Sequence, residues 1–328
     1  MILAIETSCD DTCAAVVTRG GHIRSNVISS QGVHDRYGGV VPEVASRHHL
    51  ELTTRVVDDA LARAEATLDD VDLVAVTAGP GLVGALLVGV ATAKGIAASR
   101  GLPLAAVDHL QGHVAANFLE PEPFEPPFLC LVASGGHTFL ARVEDHEGFT
   151  VLGSTLDDAA GEAIDKGARL LGLPFPGGPH LEKLAAGGDP AAFAFPDARR
   201  VGGLDFSFAG LKTALLYATR DLGEHGTHAR RADLAASYQH AVVEQLARRV
   251  ERALAETGLE RLAIGGGVAA NGPLRERLSG LAREVKVPPR ALCTDNAAMI
   301  ASAARYAEPV AFPGYLGLDA YATSARGA

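Results

Sequence analysis

The sequence predicts an α/β protein built from two copies of one lobe, and three observations predict it. Alternating apolar segments recur twice in the order strand, strand, strand, with turn signals between them. Each set leads to a further apolar strand that breaks at a glycine loop and feeds a helix. The chain has 328 residues at 48% hydrophobic content, more than one hydrophobic core usually holds and enough to fill two.

The first strands are expected at residues 2–5, 13–17 and 22–28, with Arg19, Gly20 and Gly21 turning between the last two. Pro42 then opens an amphipathic helix whose apolar face carries Val44, Leu52, Val56 and Leu61. A buried strand over 73–77 breaks at Gly79-Pro80-Gly81 and enters an apolar stretch, 82–93, that reads as a buried helix and falls short of the roughly 20 residues of a membrane span. A strand at 104–107 then runs into Asp108 and His109. The order restarts with strands at 128–132, 138–143 and 149–152, and 261–264 followed by Gly265-Gly266-Gly267 repeats the strand and glycine loop of 73–82. A last echo sets Ala105-Ala106-Val107-Asp108-His109 against Ala291-Leu292-Cys293-Thr294-Asp295, each read as a strand ending in an aspartate before a helix of small residues.

Two βββαβα copies describe the architecture of actin, Hsp70 and the sugar kinases, with a ligand expected in the interlobe cleft. The alternative is two unrelated α/β domains. The expected division is an N-terminal lobe over 1–125 and a C-terminal lobe over 126–328, whose terminal helix packs back on the first. An insertion at about 187–226, with Phe193, Phe195, Phe206 and Phe208 among Gly, Pro and Asp, is expected to lie over the cleft. The helix at 232–257 has a core stripe of Leu234, Tyr238, Val242, Leu246, Val250 and Leu254.

Met1 runs straight into strand-like alternation with no basic leader region, so no secretion signal and no membrane partner are expected. The four cysteines, Cys9, Cys13, Cys130 and Cys293, have no zinc-ribbon spacing, which suits a reducing cytoplasm. A net charge of −10 opposes bulk attraction to nucleic acid. Arg199, Arg200, Lys212, Arg230 and Arg231 form either a local RNA patch or a solvated face.

His109 and His113 stand at i and i+4, so both imidazoles leave one helix face and can grip one ion. The Glu that would follow the first His in a zinc peptidase is missing, Leu110 standing there instead. The spacing alone is more often the mark of a packed and a surface histidine. The duplication adds Asp295 as a third ligand from the other lobe, and two His with one carboxylate suit Fe(II) or Zn(II) as a Lewis acid. Glycine loops at Ser134-Gly135-Gly136-His137, Gly177-Gly178 and Gly265-Gly266-Gly267 favour a nucleotide at the cleft. The acids of Thr7-Ser8-Cys9-Asp10-Asp11-Thr12 orient a metal, accept a proton or cap a hairpin.

Taken with Ile5-Glu6-Thr7-Ser8-Cys9-Asp10-Asp11-Thr12, Gly38-Gly39-Val40-Val41-Pro42-Glu43, Thr77-Ala78-Gly79-Pro80-Gly81-Leu82, Asp157-Asp158-Ala159-Ala160-Gly161-Glu162, Phe175-Pro176-Gly177-Gly178-Pro179, Phe206-Ser207-Phe208, Gly265-Gly266-Gly267-Val268 and Cys293-Thr294-Asp295-Asn296, these motifs make the chain resemble the bacterial TsaD family along nearly its whole length. The resemblance implies an actin-like fold and transfer of a threonylcarbamoyl group from threonylcarbamoyl-AMP to the 6-amino group of the adenine beside the anticodon of tRNA. It also implies one Fe(II) or Zn(II) on His109, His113 and Asp295, and an adenylate lined by Val132, Ala133, Ser134, Gly135 and Gly136 and contacted by Asp165, Gly178, Glu182 and Asn271. Family members vary at Glu182, and many bacterial ones carry Val where Ala133 stands. A small paralogous TsaB-like subunit and a TsaE-like ATPase are the implied partners. Asp11 is the candidate general base. The rival functions are an ATP-dependent kinase or ATPase of the same fold, a non-catalytic nucleotide-binding scaffold, and a metalloprotease.

Overall fold

In the computed structural model, which describes residues 1–37, 39–197 and 201–323, the strands form two five-stranded sheets, each within its own compact unit of chain. The first unit comprises residues 1–126, 144–149 and 291–328, and the second comprises 127–143 and 150–290.

In the first unit, β1 (Ile2–Glu6), β2 (Asp11–Val17) and β3 (Ile23–Ser30) form an antiparallel meander. α1 (Pro42–Arg63) crosses over to β4 (Leu73–Gly79), which pairs parallel to β1. α2 (Val83–Arg100) crosses to β5 (Leu104–Asp108), parallel to β4, so the sheet order is β3-β2-β1-β4-β5. Strands covered on both faces need apolar side chains at every position, and every residue of β1 and β4 is buried. Pro42 begins α1, where a missing N–H costs nothing, and Gly101, at φ +64°, ends α2. α2 is longer than the expected stretch and, by length and composition alone, apolar enough to cross a membrane. Its inner face of Ala85, Leu86, Gly89, Val90, Ala93 and Ala97 is buried against the first unit, whereas Val83 and Leu87 are exposed, so only one side is a core helix. α3 (His109–Ala115) follows β5 directly.

The second unit repeats this order. β6 (Phe128–Ala133), β7 (Thr138–Val143) and β8 (Thr150–Ser154) form the meander. After α4 (Ala160–Leu170), α5 (Gly177–Ala185), α6 (Ala209–Ala229) and α7 (Arg231–Thr257), β9 (Arg261–Gly265) pairs parallel to β6. α8 (Gly272–Leu278) then leads to β10 (Glu284–Lys286), giving β10-β9-β6-β7-β8. Strand for strand this is the order of the first sheet, so the actin-like duplication is real. The whole expected stripe of α7 is buried, with the Tyr238 hydroxyl donating to the Ala163 carbonyl at 2.7 Å. The stretch read as an insertion runs along α7, where Ser237 Oγ accepts from Phe193 N, Gln245 donates to the Pro196 carbonyl and Arg248 pairs with Asp197. It continues into α6.

The final echo read from sequence is corrected. Residues 290–292 form a short 3₁₀ turn, the fifth strand of the second sheet is β10, and the chain from Ala291 onward belongs to the first unit. Pro288 and Pro289 lack the N–H donors a continuing strand needs. Beyond them α9 (Ala297–Ala304), capped by Asn296 Oδ1 on Met299 N at 3.0 Å, is buried throughout against α3, β1 and β2. Gly112 of α3 lets the two helices come close. A Cβ on Gly112 would lie 2.8 Å from Ile300 Cδ1 and 3.2 Å from Met299 Cγ, and Ser302 Oγ donates to the Ala115 carbonyl at 2.7 Å. Gly112→Val is therefore expected to destabilise the protein by about 1–3 kcal/mol through overpacking. Denaturant unfolding measures it, and an unchanged midpoint would contradict this contact.

Candidate functional site

The close seating of α9 on α3 brings the residue before its cap, Asp295, to the Nε2 side of the histidine pair. Asp108 ends β5 and caps α3, its Oδ1 accepting from Leu110 N at 2.9 Å and Gln111 N at 3.3 Å. That cap starts the helix at His109 and aims His109 and His113 the same way. Their Nε2 atoms lie 3.7 Å and 3.4 Å from Asp295 Oδ1, and one ligand atom from each of the three residues falls within 4.8 Å of the others. All three belong to the first unit, so the expectation that Asp295 comes from the second lobe is overturned while the constellation stands.

The other nitrogen of His109 is held from behind. Its Nδ1 is 3.0 Å from Glu6 Oε2 and 3.2 Å from Ser8 Oγ. Glu6 is fully buried at the end of β1, where Thr77 Oγ1 donates to its Oε2 at 2.5 Å and the Ser8 amide donates to its Oε1. A carboxylate on Nδ1 directs the Nε2 lone pair outward, the arrangement that orients imidazole for a metal. Burial alone would push His109 down and Glu6 up. The carboxylates of Asp295 and Glu6 outweigh this at His109, holding it up at about 9, while His109 pulls Glu6 below the usual carboxylate range.

A divalent ion fits these residues on two counts. His113 is completely buried, and neither of its ring nitrogens has a hydrogen-bond partner. An orphaned buried polar atom costs about 1–3 kcal/mol, and an ion at Nε2 would remove one of them. The donor set, two imidazoles and a carboxylate, suits Zn(II) or Fe(II) better than Mg(II) or Ca(II).

Asp11, at the head of β2, is pushed up to about 7, mainly by burial, against a hydrogen bond from Ser30 and with help from Asp295, Asp10 and Glu6. Its loop is pinned by buried His49, whose Nδ1 is 2.8 Å from Thr12 Oγ1 and whose Nε2 is 3.0 Å from the Cys9 carbonyl. Burial pushes the Cys9 and Cys13 thiols well up and Cys130 to about 12, so none of these three supplies a thiolate.

In the second unit, hydrogen bonds tie the loop after β6 to α4, α4 to the start of α5, and α5 to the segment after β9. Ser134, just past β6, takes the Gly161 amide on its carbonyl at 3.0 Å, and a Cβ on Gly161 would stand 2.5 Å from that oxygen. Asp165 Oδ1 accepts from Gly177 N at 2.7 Å and fixes the start of α5. Glu182 accepts from Asn271 Nδ2 at 3.1 Å and Gly272 N at 3.2 Å, while Asn271 Oδ1 caps α8 at Leu274 N. Gly135 and Gly136 are exposed and have no heavy atom within 4 Å of an added Cβ, and neither has a positive φ. No described residue demands glycine there, and the missing side chains leave the backbone open to close approach. Val132 and Ala133 are wholly buried strand residues, so the exposed part of this loop begins after Ser134.

Comparison with known proteins was decisive. A family model described as TsaD, tRNA N6-adenosine threonylcarbamoyltransferase, matches residues 22–302. The chain belongs to the TsaD family. It is 51% identical over 311 residues to the tRNA N6-adenosine threonylcarbamoyltransferase of Clostridium botulinum strain 657, covering 93% of this chain and 92% of that one. It is 52% identical over 312 residues to the protein of the same name from Clostridium perfringens strain SM101, with the same coverage. TsaD members are transferases, and so is this chain. Among solved structures, HypF from T. kodakarensis (TM-score 0.59, 16% identity, 96% of this chain and 48% of that one) and the activator of 2-hydroxyisocaproyl-CoA dehydratase from Clostridium difficile (TM-score 0.53, 14% identity, 93% of both) share the fold.

Other TsaD motifs have structural work. Asp157 accepts from Ser207 Oγ at 2.5 Å, Phe208 N at 2.7 Å and Ala209 N at 3.1 Å, tying the 157–162 motif to Phe206-Ser207-Phe208 and starting α6. Of the residues of the candidate basic patch, Lys212 is exposed. Arg230 pairs with Asp233 and lies over the Phe193 ring, Arg231 donates to the Leu171 carbonyl at 2.6 Å, and Arg199 and Arg200, like Gly38, lie outside the described residues. Glu6 is the functional side chain that sequence reasoning passed over. Its signal was an acidic residue ending an otherwise apolar, fully covered strand.

Two outcomes follow for the metal centre. Since His109 must lose its proton to ligate, apparent affinity for Zn(II) is expected to rise about tenfold per pH unit and level off near 9; competition titration reads this, and a flat profile between pH 6 and 8 would contradict it. Glu6→Gln is expected to weaken Zn(II) binding by about 10–100-fold.

Proposed function

We propose that the chain transfers the threonylcarbamoyl group from threonylcarbamoyl-AMP to the 6-amino group of the adenine next to the anticodon, in tRNAs that read codons beginning with A, and releases AMP. The observation that carries this reading is the identity of about half the residues, over nearly the whole length, with proteins named for that activity. One Fe(II) or Zn(II) per subunit is held by His109, His113 and Asp295. When bound, the ion supplies Lewis acidity toward oxygen that gathers negative charge as the acyl group transfers.

The adenine amine is a weak nucleophile because its lone pair is delocalised into the ring, so positioning supplies much of the rate. The amine nitrogen forms a bond to the carbamoyl carbon, the bond from that carbon to the phosphate oxygen breaks, and AMP leaves with the electron pair. Asp11 accepts the proton released from the amine, a role suited to a carboxyl raised to about 7. Exposed amides of Gly135 and Gly136 approach the adenylate phosphate above Val132, Ala133 and Ser134, and Asp165, Gly178, Glu182 and Asn271 take the nucleoside. Several of these side chains also brace the loops themselves, as Asp165 does at Gly177 and Glu182 at Gly272.

Because the chain is acidic, with a net charge of −10, tRNA is brought to it with the help of a small TsaB-like paralogue and a TsaE-like ATPase in the cytoplasm. The test is AMP release and tRNA modification from synthetic adenylate, with and without these partners. Phosphate release from ATP without any transfer would favour an ATPase of the same fold instead. Asp11→Asn is expected to lower turnover by about 10²–10⁴-fold and to remove the rise of activity with pH whose midpoint lies at or below 7, since a bound cation offsets the negative neighbours. Unchanged turnover would discard Asp11 as the base.

A further inference from the structure

Beyond α9 the chain returns across the first unit and ends its described course against the start of the metal-binding helix. Lys94 Nζ donates to the carbonyls of Leu316 at 3.0 Å and Leu318 at 2.5 Å. Tyr321 N donates to the Ala78 carbonyl at 2.9 Å and Gly81 N to the Ala322 carbonyl at 3.3 Å, so this strap runs beside the end of β4. The Tyr321 ring fills the space that a side chain on Gly79 would need, a Cβ there standing 2.5 Å from its Cδ2. Its hydroxyl then donates to Asp108 Oδ2 at 3.0 Å. The opposite oxygen of that carboxylate is the cap on Leu110 N and Gln111 N.

One carboxylate therefore joins the strap to the first turn of α3, with His109 as the next residue. Asp108 is only partly buried and the torsion of its carboxylate is broad, so each hydrogen bond to one of its oxygens narrows the orientations open to it. With Oδ2 fixed by the phenol, Oδ1 stays on the two amides, and the first turn keeps the rotation that sends both imidazoles toward Asp295. We propose that Tyr321 is a positioning residue, through which the C-terminal strap sets the geometry of the His109, His113 and Asp295 metal centre. This inference rests on the metal-centre reading and is independent of the transfer reaction.

The test compares wild-type protein with Tyr321→Phe, which keeps the ring packed on Gly79 and removes only the hydroxyl, and with a chain ending at Asp319. Zn(II) affinity is measured by competition, Co(II) coordination by its visible absorption, and the melting temperature is taken without metal. Tyr321→Phe is expected to weaken Zn(II) binding about tenfold and to alter the Co(II) spectrum while the metal-free melting temperature stays close to wild type. The shortened chain is expected to lose at least as much affinity. Equal affinity and identical spectra in wild type and Tyr321→Phe would overturn the proposal alone. So would a loss of affinity matched by a proportionate loss of metal-free stability. Failure of the wild type itself to bind Zn(II) or Co(II) would overturn this proposal and the metal centre together.

Discussion

A carboxylate with no access to water cannot stay charged without compensation, and Glu6 is such a group, buried at the end of the central strand of the first sheet. Its compensation comes from Thr77, the Ser8 amide and above all His109. The same pairing fixes which nitrogen of His109 faces outward, so the electrostatic need of one strand end becomes the orientation of a ligand. Asp295 completes a field that favours positive charge, whether a proton on His109 or an ion between the three donors. Breaking a buried pair by removing one partner costs about 3–5 kcal/mol, which makes the geometry rigid as well as charged.

The two units carry different residues at the same places of one topology. In the first, the ends of β1, β2 and β5 and the cap of α9 deliver Glu6, Asp11, Asp108, His109 and Asp295, side chains that titrate or ligate. In the second, β6 leads to Ser134 and the exposed Gly135 and Gly136, while β9 ends at Gly265 and turns through Gly266, which is buried against the Ala133 carbonyl. The strand order is the same in both. What differs is the residue just beyond the strand, where the sheet constrains the sequence least.

Much of this could be read from sequence because its causes are local. Strands β1, β4 and β6 are covered on both faces and announce themselves as unbroken apolar runs, and the stripe of α7 repeats at helical spacing through a wholly buried face. The spacing of His109 and His113 put both on one helix face, but spacing alone did not separate a ligand pair from a packed and a surface histidine. β10 was not legible, because three residues, Glu284, Val285 and Lys286, at a sheet edge carry too little pattern to separate from loop. Ala291-Leu292-Cys293 was misread as that strand because apolar character says that a segment is buried and not which sheet buries it. Asp295 was grouped with the histidine pair by a pseudosymmetry that does not hold there, although the three side chains do come together. Packing of α9 on α3, set by Gly112, brings it there. Glu6 and Tyr321 act through contacts 103 and 213 residues away in sequence, and no local pattern records such partners.

The most direct measurement is an anomalous-difference map from crystals grown with zinc or iron, collected at the absorption edge of that metal. A single peak per chain is expected, bounded by His109 Nε2, His113 Nε2 and Asp295 Oδ1, with Glu6 still on His109 Nδ1. A peak bound elsewhere, or none at these three side chains in protein shown to carry the metal, would contradict the assignment on which the proposed chemistry stands.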